Sequence, residues 1–229
     1  MHKLIVAAIR CALIFVLPTV TYASSAQWDL DPVSGDWNTA ANWTPMGIPN
    51  GPADVATFGL SLTTDVSISA NTEVNGITFT PAATNPFTIT ASTGLTLTIS
   101  GVGITNNSGT TQHFVTAVNG TGNRGQIIFT NSASAGSLTT FVNSGATAYP
   151  SGGGTFFYDS STANSATINN NGGGLNAALG GVTSFFDTST AAASTINNNP
   201  GATDGGRTKL LWQFERWQRD DYQPRCGGH

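Results

Sequence analysis

Acidic side chains are the first candidates for chemistry in this chain of 229 residues. Asp54, Asp65, Asp159 and Asp187 could pair across neighbouring strands as the two carboxylates of a glycosidase do. Asp159 and Asp187 hold the same place in a repeated segment, so we expect them to stack as like charges at a solvated edge. Calcium between them is an alternative, although the nonapeptide pattern G-G-x-G-x-D is missing. The acids therefore predict no catalytic residue and no metal site.

Histidine and the common catalytic motifs lead to the same prediction. His113 is the one histidine between residues 3 and 228, and a single histidine beside Phe114 is typical of a structural residue. The sequence holds no P-loop, C-x-x-C or H-E-x-x-H pattern. We therefore expect a protein that is not an enzyme and that uses no cofactor.

Tryptophan is concentrated in an opening segment, residues 27–59, which is also rich in Pro and Gly and contains Trp28, Trp37 and Trp43. Aromatic faces stack on sugar rings, so Trp37 and Trp43 are candidate glycan-stacking residues. The other interpretation is a cap, because the end of a β-solenoid exposes apolar side chains and strand edges that bulky aromatics can cover. The sequence favours the cap and leaves the glycan platform open.

Composition restricts the class of protein. Only 9% of the residues are charged, against about 25% in an average globular protein. Arg124 is the one basic residue between Ser24 and Gly206, so nucleic-acid binding, which needs basic residues against phosphates, is not expected. The two cysteines, Cys11 and Cys226, lie near opposite ends of the chain and predict no disulfide framework.

The N-terminus resembles an export signal. Lys3 and Arg10 supply positive charge, residues 11–20 are apolar, and cleavage is predicted after Ala23 or Ala26. A membrane anchor is the alternative, but the apolar stretch is short for a span. We therefore assign residues 1–26 to a signal peptide and expect an exported protein.

Short strands and a repeat organise the body. Segments such as DVATF, LTLTIS and QIIF alternate apolar and polar residues, which is typical of β-strands. Residues 152–171 and 180–199 then share the pattern G-G-x-T-x-F-[FY]-D-[ST]-S-T-A-x-x-[AS]-T-I-N-N-N, 28 residues apart. Such a period indicates one solenoid coil per repeat. The predicted repeat core is Phe157 over Phe185 and Ile168 over Ile196, beside a ladder in which Asn169–Asn171 stack on Asn197–Asn199.

The last residues depart from this pattern. A third repeat begins at Gly205, but residues 209–229 hold four of the eight Lys and Arg and two of the five Trp. Back-translation from Lys209, read one nucleotide forward, permits N-F-F-G-N-S-S-A-G-N-A-T-I-T-N, which resumes the repeat. We therefore predict that 209–229 is an aberrant tail produced by a frame slip. An amphipathic C-terminal helix is the alternative.

The opening WDLDPVSGDWNTAANWTPMGIPNGPADVATFG and the following EVNGITF, FTIT and LTLTISGVGITNNSG resemble bacterial surface and exported proteins with autotransporter-associated β-strand repeats. The resemblance covers residues 28–199. It implies an all-β fold, a parallel, right-handed β-helix displayed at the cell surface, with a structural or adhesin-like role and surface glycans or extracellular matrix as partners. The chain lacks that family's membrane barrel, so its contact with a membrane would need a missing anchor. The predicted layout is signal peptide 1–26, cap 27–59, solenoid 60–208 and an irregular or short helical tail 209–229. A carbohydrate-binding or carbohydrate-cleaving β-helix is the alternative function.

Overall fold

A computed structural model describes residues 25–147, 151–175 and 177–211. Two sheets run along the molecule. The first sheet has nine strands: β1 (Ala26–Trp28), β2 (Trp43–Thr44), β3 (Gly51–Phe58), β5 (Thr72–Phe79), β7 (Thr96–Asn106), β9 (Gln126–Phe129), β11 (Gly154–Phe157), β13 (Val182–Phe186) and β15 (Arg207–Leu211). The second has six: β4 (Asp65–Ser67), β6 (Thr88–Ala91), β8 (Gln112–Thr116), β10 (Thr139–Asn143), β12 (Thr167–Asn170) and β14 (Thr195–Asn198).

The chain alternates between the two sheets, so each strand pairs with the one a full coil later. From β3 to β15 and from β4 to β14 every pairing is parallel, and β1 also pairs with β3 in parallel. The result is a parallel β-solenoid of about seven turns, which confirms the predicted all-β fold. Alternating strands suit this arrangement because one face of each sheet points into the core and the other into solvent.

The core consists of columns of apolar side chains that repeat from coil to coil. On the first sheet, the Phe157 ring lies parallel to the rings of Phe129 and Phe185, with centroids 4.9 and 4.8 Å apart. On the second sheet, Phe114 stacks on Phe141 at 4.9 Å, and the column continues through Ile168. Parallel, in-register pairing is what places identical residues above one another.

The first and last strands of the solenoid extend beyond two predicted boundaries. β1 begins at Ala26, which is buried and pairs with Ala56, so the first strand starts within the predicted signal peptide. β15 runs to Leu211, three residues past the predicted end of the solenoid at 208. Residues 1–24 and 212–229, which hold the rest of the predicted signal peptide and tail, lie outside the described residues.

A narrow third row of bridges runs from Gly103, near the end of β7, through the corners of the coils that follow. Gly103, Ser134, Thr162 and Thr190 form successive parallel bridges there. Gly103 has a φ of +93°, and a Cβ on it would lie 2.2 Å from the Ser134 carbonyl oxygen. Only glycine allows the two backbones to approach this closely.

Replacing Gly103 by alanine should therefore lower the free energy of unfolding by about 2–3 kcal/mol. Gly109 is the matched control: its φ of +72° is also positive, but nothing lies within 4 Å of a Cβ there. Gly109→Ala should cost only about 1 kcal/mol, the conformational penalty alone. Urea unfolding followed by circular dichroism measures both variants, and equal losses would contradict the close approach.

Candidate functional site

The tryptophan cluster closes the first end of the solenoid. Trp28, Trp37 and Trp43 are 0–1% exposed, and Trp43 meets each of the other two rings edge to face at 5.0 Å. The Trp37 indole donates to the Pro49 carbonyl at 3.0 Å, and the Trp43 indole donates to the Trp37 carbonyl at 2.7 Å. The rings are thus buried, and the indole N–H groups of Trp37 and Trp43 donate to carbonyls inside the protein.

The predicted glycan-stacking role of Trp37 and Trp43 is therefore wrong. A sugar ring needs an exposed aromatic face, and these two rings pack against Phe58, the first phenylalanine of the core columns. The cap interpretation fits the same contacts. An uncharged polar residue that the sequence did not single out organises this cap: buried Asn42 donates to the Asp36 carbonyl at 2.7 Å and to the Ser34 hydroxyl at 2.9 Å.

The acidic residues of the repeat lie at one corner of successive coils. Asn131, Asp159 and Asp187 all have positive φ, between 53° and 55°. The Asp159 carboxylate accepts the backbone N–H of Asn131 at 2.8 Å, and the Asp187 carboxylate accepts the backbone N–H of Asp159 at 3.2 Å. These are the expected stacked acids. These hydrogen bonds join the corner of one coil to the corner of the next. The corner residues adopt the left-handed conformation, which Asn and Asp tolerate better than other side chains.

The other candidate acids and the histidine lie apart from that corner. Asp54 is buried beside the cap, where its carboxylate accepts the backbone N–H of Asn50 at 2.9 Å. Asp65 begins β4 on the second sheet, and His113 lies half-buried on β8. Within residues 25–147, 151–175 and 177–211, no group of three or more His, Cys, Asp or Glu could hold a metal ion.

An aromatic stack lies on the outer side of the last coils. Tyr158 and Phe186 are parallel, with ring centroids 4.5 Å apart, and Arg124 lies over the Phe156 ring at 5.4 Å. Burial lowers the pKa of the Arg124 guanidinium. Burial also raises the pKa of the Tyr158 phenol, and the negative charge of Asp187 raises it further. Since Tyr158 and Phe186 cover one face of each other, the stack offers less aromatic surface to a ligand than two separate rings would.

The asparagine ladder forms as predicted. The side-chain amide of Asn197 donates to Asn169 at 2.8 Å, and that of Asn199 donates to Asn171 at 3.0 Å. The middle member runs the other way, with Asn170 donating to Asn198 at 2.8 Å.

The middle row continues into the core, where the sequence did not predict it. Asn143 and Asn170 are 0% exposed, and Asn143 donates to Asn170 at 2.8 Å. The Thr155 hydroxyl donates to Asn143, and the Thr183 hydroxyl donates to Asn170, both at 2.8 Å. This Asn–Thr ladder joins the second sheet to the first at the corner between them, and it satisfies the polar groups that the corner buries.

At the other end of the solenoid, no described residue covers the core as the tryptophans cover it at the first. Ile168 is 0% exposed, whereas Ile196, one coil later, is only half-buried. Phe185 is 3% exposed, whereas Leu210, its partner on β15, is 60% exposed. In the part of the chain that the structure describes, β14 and β15 are the last strands of their sheets. We call this surface, formed by β14 and β15, the open end.

In comparison with known proteins, no family model, no curated protein and no solved structure matches the chain. The resemblance to proteins with autotransporter-associated repeats accordingly stays a prediction. Among the described residues, no helix has the length and apolar character needed to cross a membrane.

Proposed function

We propose that this chain is the first part of an exported cell-surface β-solenoid with a structural or adhesin-like role. The observation that carries the proposal is the asymmetry of its ends: tryptophans seal one end, while at the other end the last described residues of the core columns are exposed or half-buried. A capped end marks where a solenoid starts, and uncapped columns suit a stack that continues.

The rest of the support comes from the residues. Threonine is the commonest outward-facing residue of the strands, and rows of such short polar side chains suit shallow, repetitive contacts with glycans or matrix proteins. The leader-like N-terminus supports export. The shifted reading frame supports continuation of the coil beyond Thr208.

Export can be tested by the position of the mature N-terminus. Ala26 pairs in β1, and the Ser25 hydroxyl accepts the Val55 amide at 2.9 Å, so cleavage after Ala23 keeps these contacts while cleavage after Ala26 removes them. We expect mass spectrometry of the protein released by the source organism to find Ser24 as the first residue. A chain that keeps Met1 and stays inside the cell would overturn the proposal.

Surface display is tested in the same cells. Two versions of the gene are expressed, each with a C-terminal epitope tag: the original, and one in which the reading frame is restored after Thr208. Intact cells are then labelled with an antibody against the described solenoid. We expect labelling of intact cells with the restored version and a weaker surface signal with the original. Labelling that appears only after the cells are permeabilised would count against a surface role.

A further inference from the structure

We propose that the open end is a docking site for one further coil that carries the repeat's own pattern, T-I-N-N-N followed by G-G-x-T-x-F-F. This deepens the proposed function, because it names the partner that the open end accepts. The partner is an extended peptide segment that pairs first with β14 and then with β15, in parallel and in register, as strand addition to a sheet edge requires.

The apolar columns give the first reason. On the second sheet, each coil buries the residue below it: Ile168 is fully buried under Ile196, which itself has no described residue above it and is half-buried. On the first sheet, β15 buries Phe185 in the same way, while Leu210 is 60% exposed. An isoleucine over Ile196 and a phenylalanine over Leu210 would remove this apolar surface from water.

The polar column gives the second reason. Asn198 accepts the side-chain amide of Asn170 at 2.8 Å and the Thr208 hydroxyl at 3.1 Å, so it repeats the role that Asn170 plays one coil earlier. A further asparagine would accept from Asn198 as Asn198 accepts from Asn170. The open end therefore presents apolar and polar positions in the spacing of one repeat, which fixes the register of an incoming coil.

The sequence of residues 212–229 does not carry the repeat's pattern that such a coil needs. Ile196 follows Phe185 by eleven residues, and the residue that follows Leu210 by eleven is Asp221. An aspartate in the isoleucine column would bury a carboxylate at high cost. The shifted frame instead permits T-I over Thr195 and Ile196 and F-F at the positions of Leu210 and Leu211.

A second copy of the chain fits less well than a repeat coil. Two open ends can meet only tail to tail, which makes their edge strands antiparallel. The stacked phenylalanines and the asparagine ladder depend on parallel, in-register pairing, so neither column would continue across such a contact. The repeat coil is the occupant that continues both columns.

A synthetic peptide copying residues 167–186, TINNNGGGLNAALGGVTSFF, provides the probe, because these residues span β12, the corner and β13. Its fluorescein-labelled form is titrated into the full chain and binding is followed by anisotropy. We expect saturable binding, and slower hydrogen exchange at the amides of β14 and β15. A control peptide with alanine in place of the residues copied from Ile168 and Phe185 should bind at least about 100-fold more weakly.

A matched pair of protein variants locates the site. Ile196→Asp should abolish binding of the probe, whereas Leu62→Asp, at an exposed leucine far from the open end, should leave it unchanged. If Ile196→Asp disturbs the last coil, the comparison of the two peptides still tests the proposal, because that comparison uses the unaltered protein.

Several results would overturn the proposal. No binding at any soluble concentration would do so, as would equal binding of both peptides. Binding only after deletion of residues 212–229 would show that the tail occupies the open end. A dimer that dissociates on Ile196→Asp would show that a second copy of the chain occupies it. None of these outcomes bears on cleavage after Ala23 or on labelling of intact cells, so failure here is distinct from failure of the surface role.

Discussion

Replacing Trp43 by alanine should lower the free energy of unfolding by about 3–5 kcal/mol, the range for a fully buried large aromatic side chain. The Trp43 ring contacts Trp28, Trp37 and Phe58, so the substitution removes the centre of the cap. It also leaves the Trp37 carbonyl without the indole that donates to it. Chemical denaturation followed by circular dichroism gives the loss of stability. Hydrogen exchange should locate the opening in β1 to β3, the strands that the cap covers.

Met46→Ala is the matched control for the cap. Met46 belongs to the same opening segment but is 76% exposed, so its truncation should change stability by less than about 0.5 kcal/mol. A similar loss for both variants would mean that the segment as a whole, rather than the buried cluster, determines stability. A Trp43→Ala protein that loses none of its stability would contradict the cap.

The repeat was the part of the fold that the sequence predicted best. Phe157 and Phe185 stack at 4.8 Å, and Ile168 and Ile196 pair directly, as two copies of one motif imply. Identical residues at a fixed spacing leave parallel, in-register stacking as the arrangement that buries them all. The sequence could not show that Ile196 is only half-buried, because that depends on whether another coil follows.

Tryptophan was harder to interpret, because stacking on a sugar and sealing a core select the same residue type. The distinction lies in exposure, which depends on long-range contacts such as the donation from the Trp28 indole to the Thr63 carbonyl. Residue type and local spacing carry no information on a contact between residues so far apart.

An earlier, degenerate copy of the repeat escaped prediction for a different reason. Phe141 and Asn143 pair with Ile168 and Asn170, yet they stand 27 residues before them, one fewer than the regular period. The solenoid absorbs the difference in a corner while the strands keep their register. A search for apolar and asparagine positions with a variable corner length would have found this copy, and with it the buried ladder.

Asn170→Ala should lower the free energy of unfolding by about 4 kcal/mol, because buried polar groups left without partners cost about 1–3 kcal/mol each. Asn170 accepts from Asn143 and Thr183 and donates to Asn198, in a site that excludes water. Urea unfolding followed by circular dichroism measures the change. Asn197→Ala removes a similar amide bond from the exposed row, and it should cost less than about 0.5 kcal/mol.

The physical origin of the loss can be separated from simple cavity formation. The Thr183 hydroxyl also accepts the side-chain amide of Asn143 at 3.2 Å, so it keeps that one partner in Asn170→Ala. In the otherwise unchanged protein, Thr183→Val should destabilise, since it deletes the 2.8 Å bond to Asn170. In the Asn170→Ala background that bond is already lost, so Thr183→Val should cost about 1 kcal/mol less there. Additive losses in the double variant would show that the ladder contributes through packing alone. A loss smaller than the sum would show that hydrogen bonding between the two sheets holds this corner together.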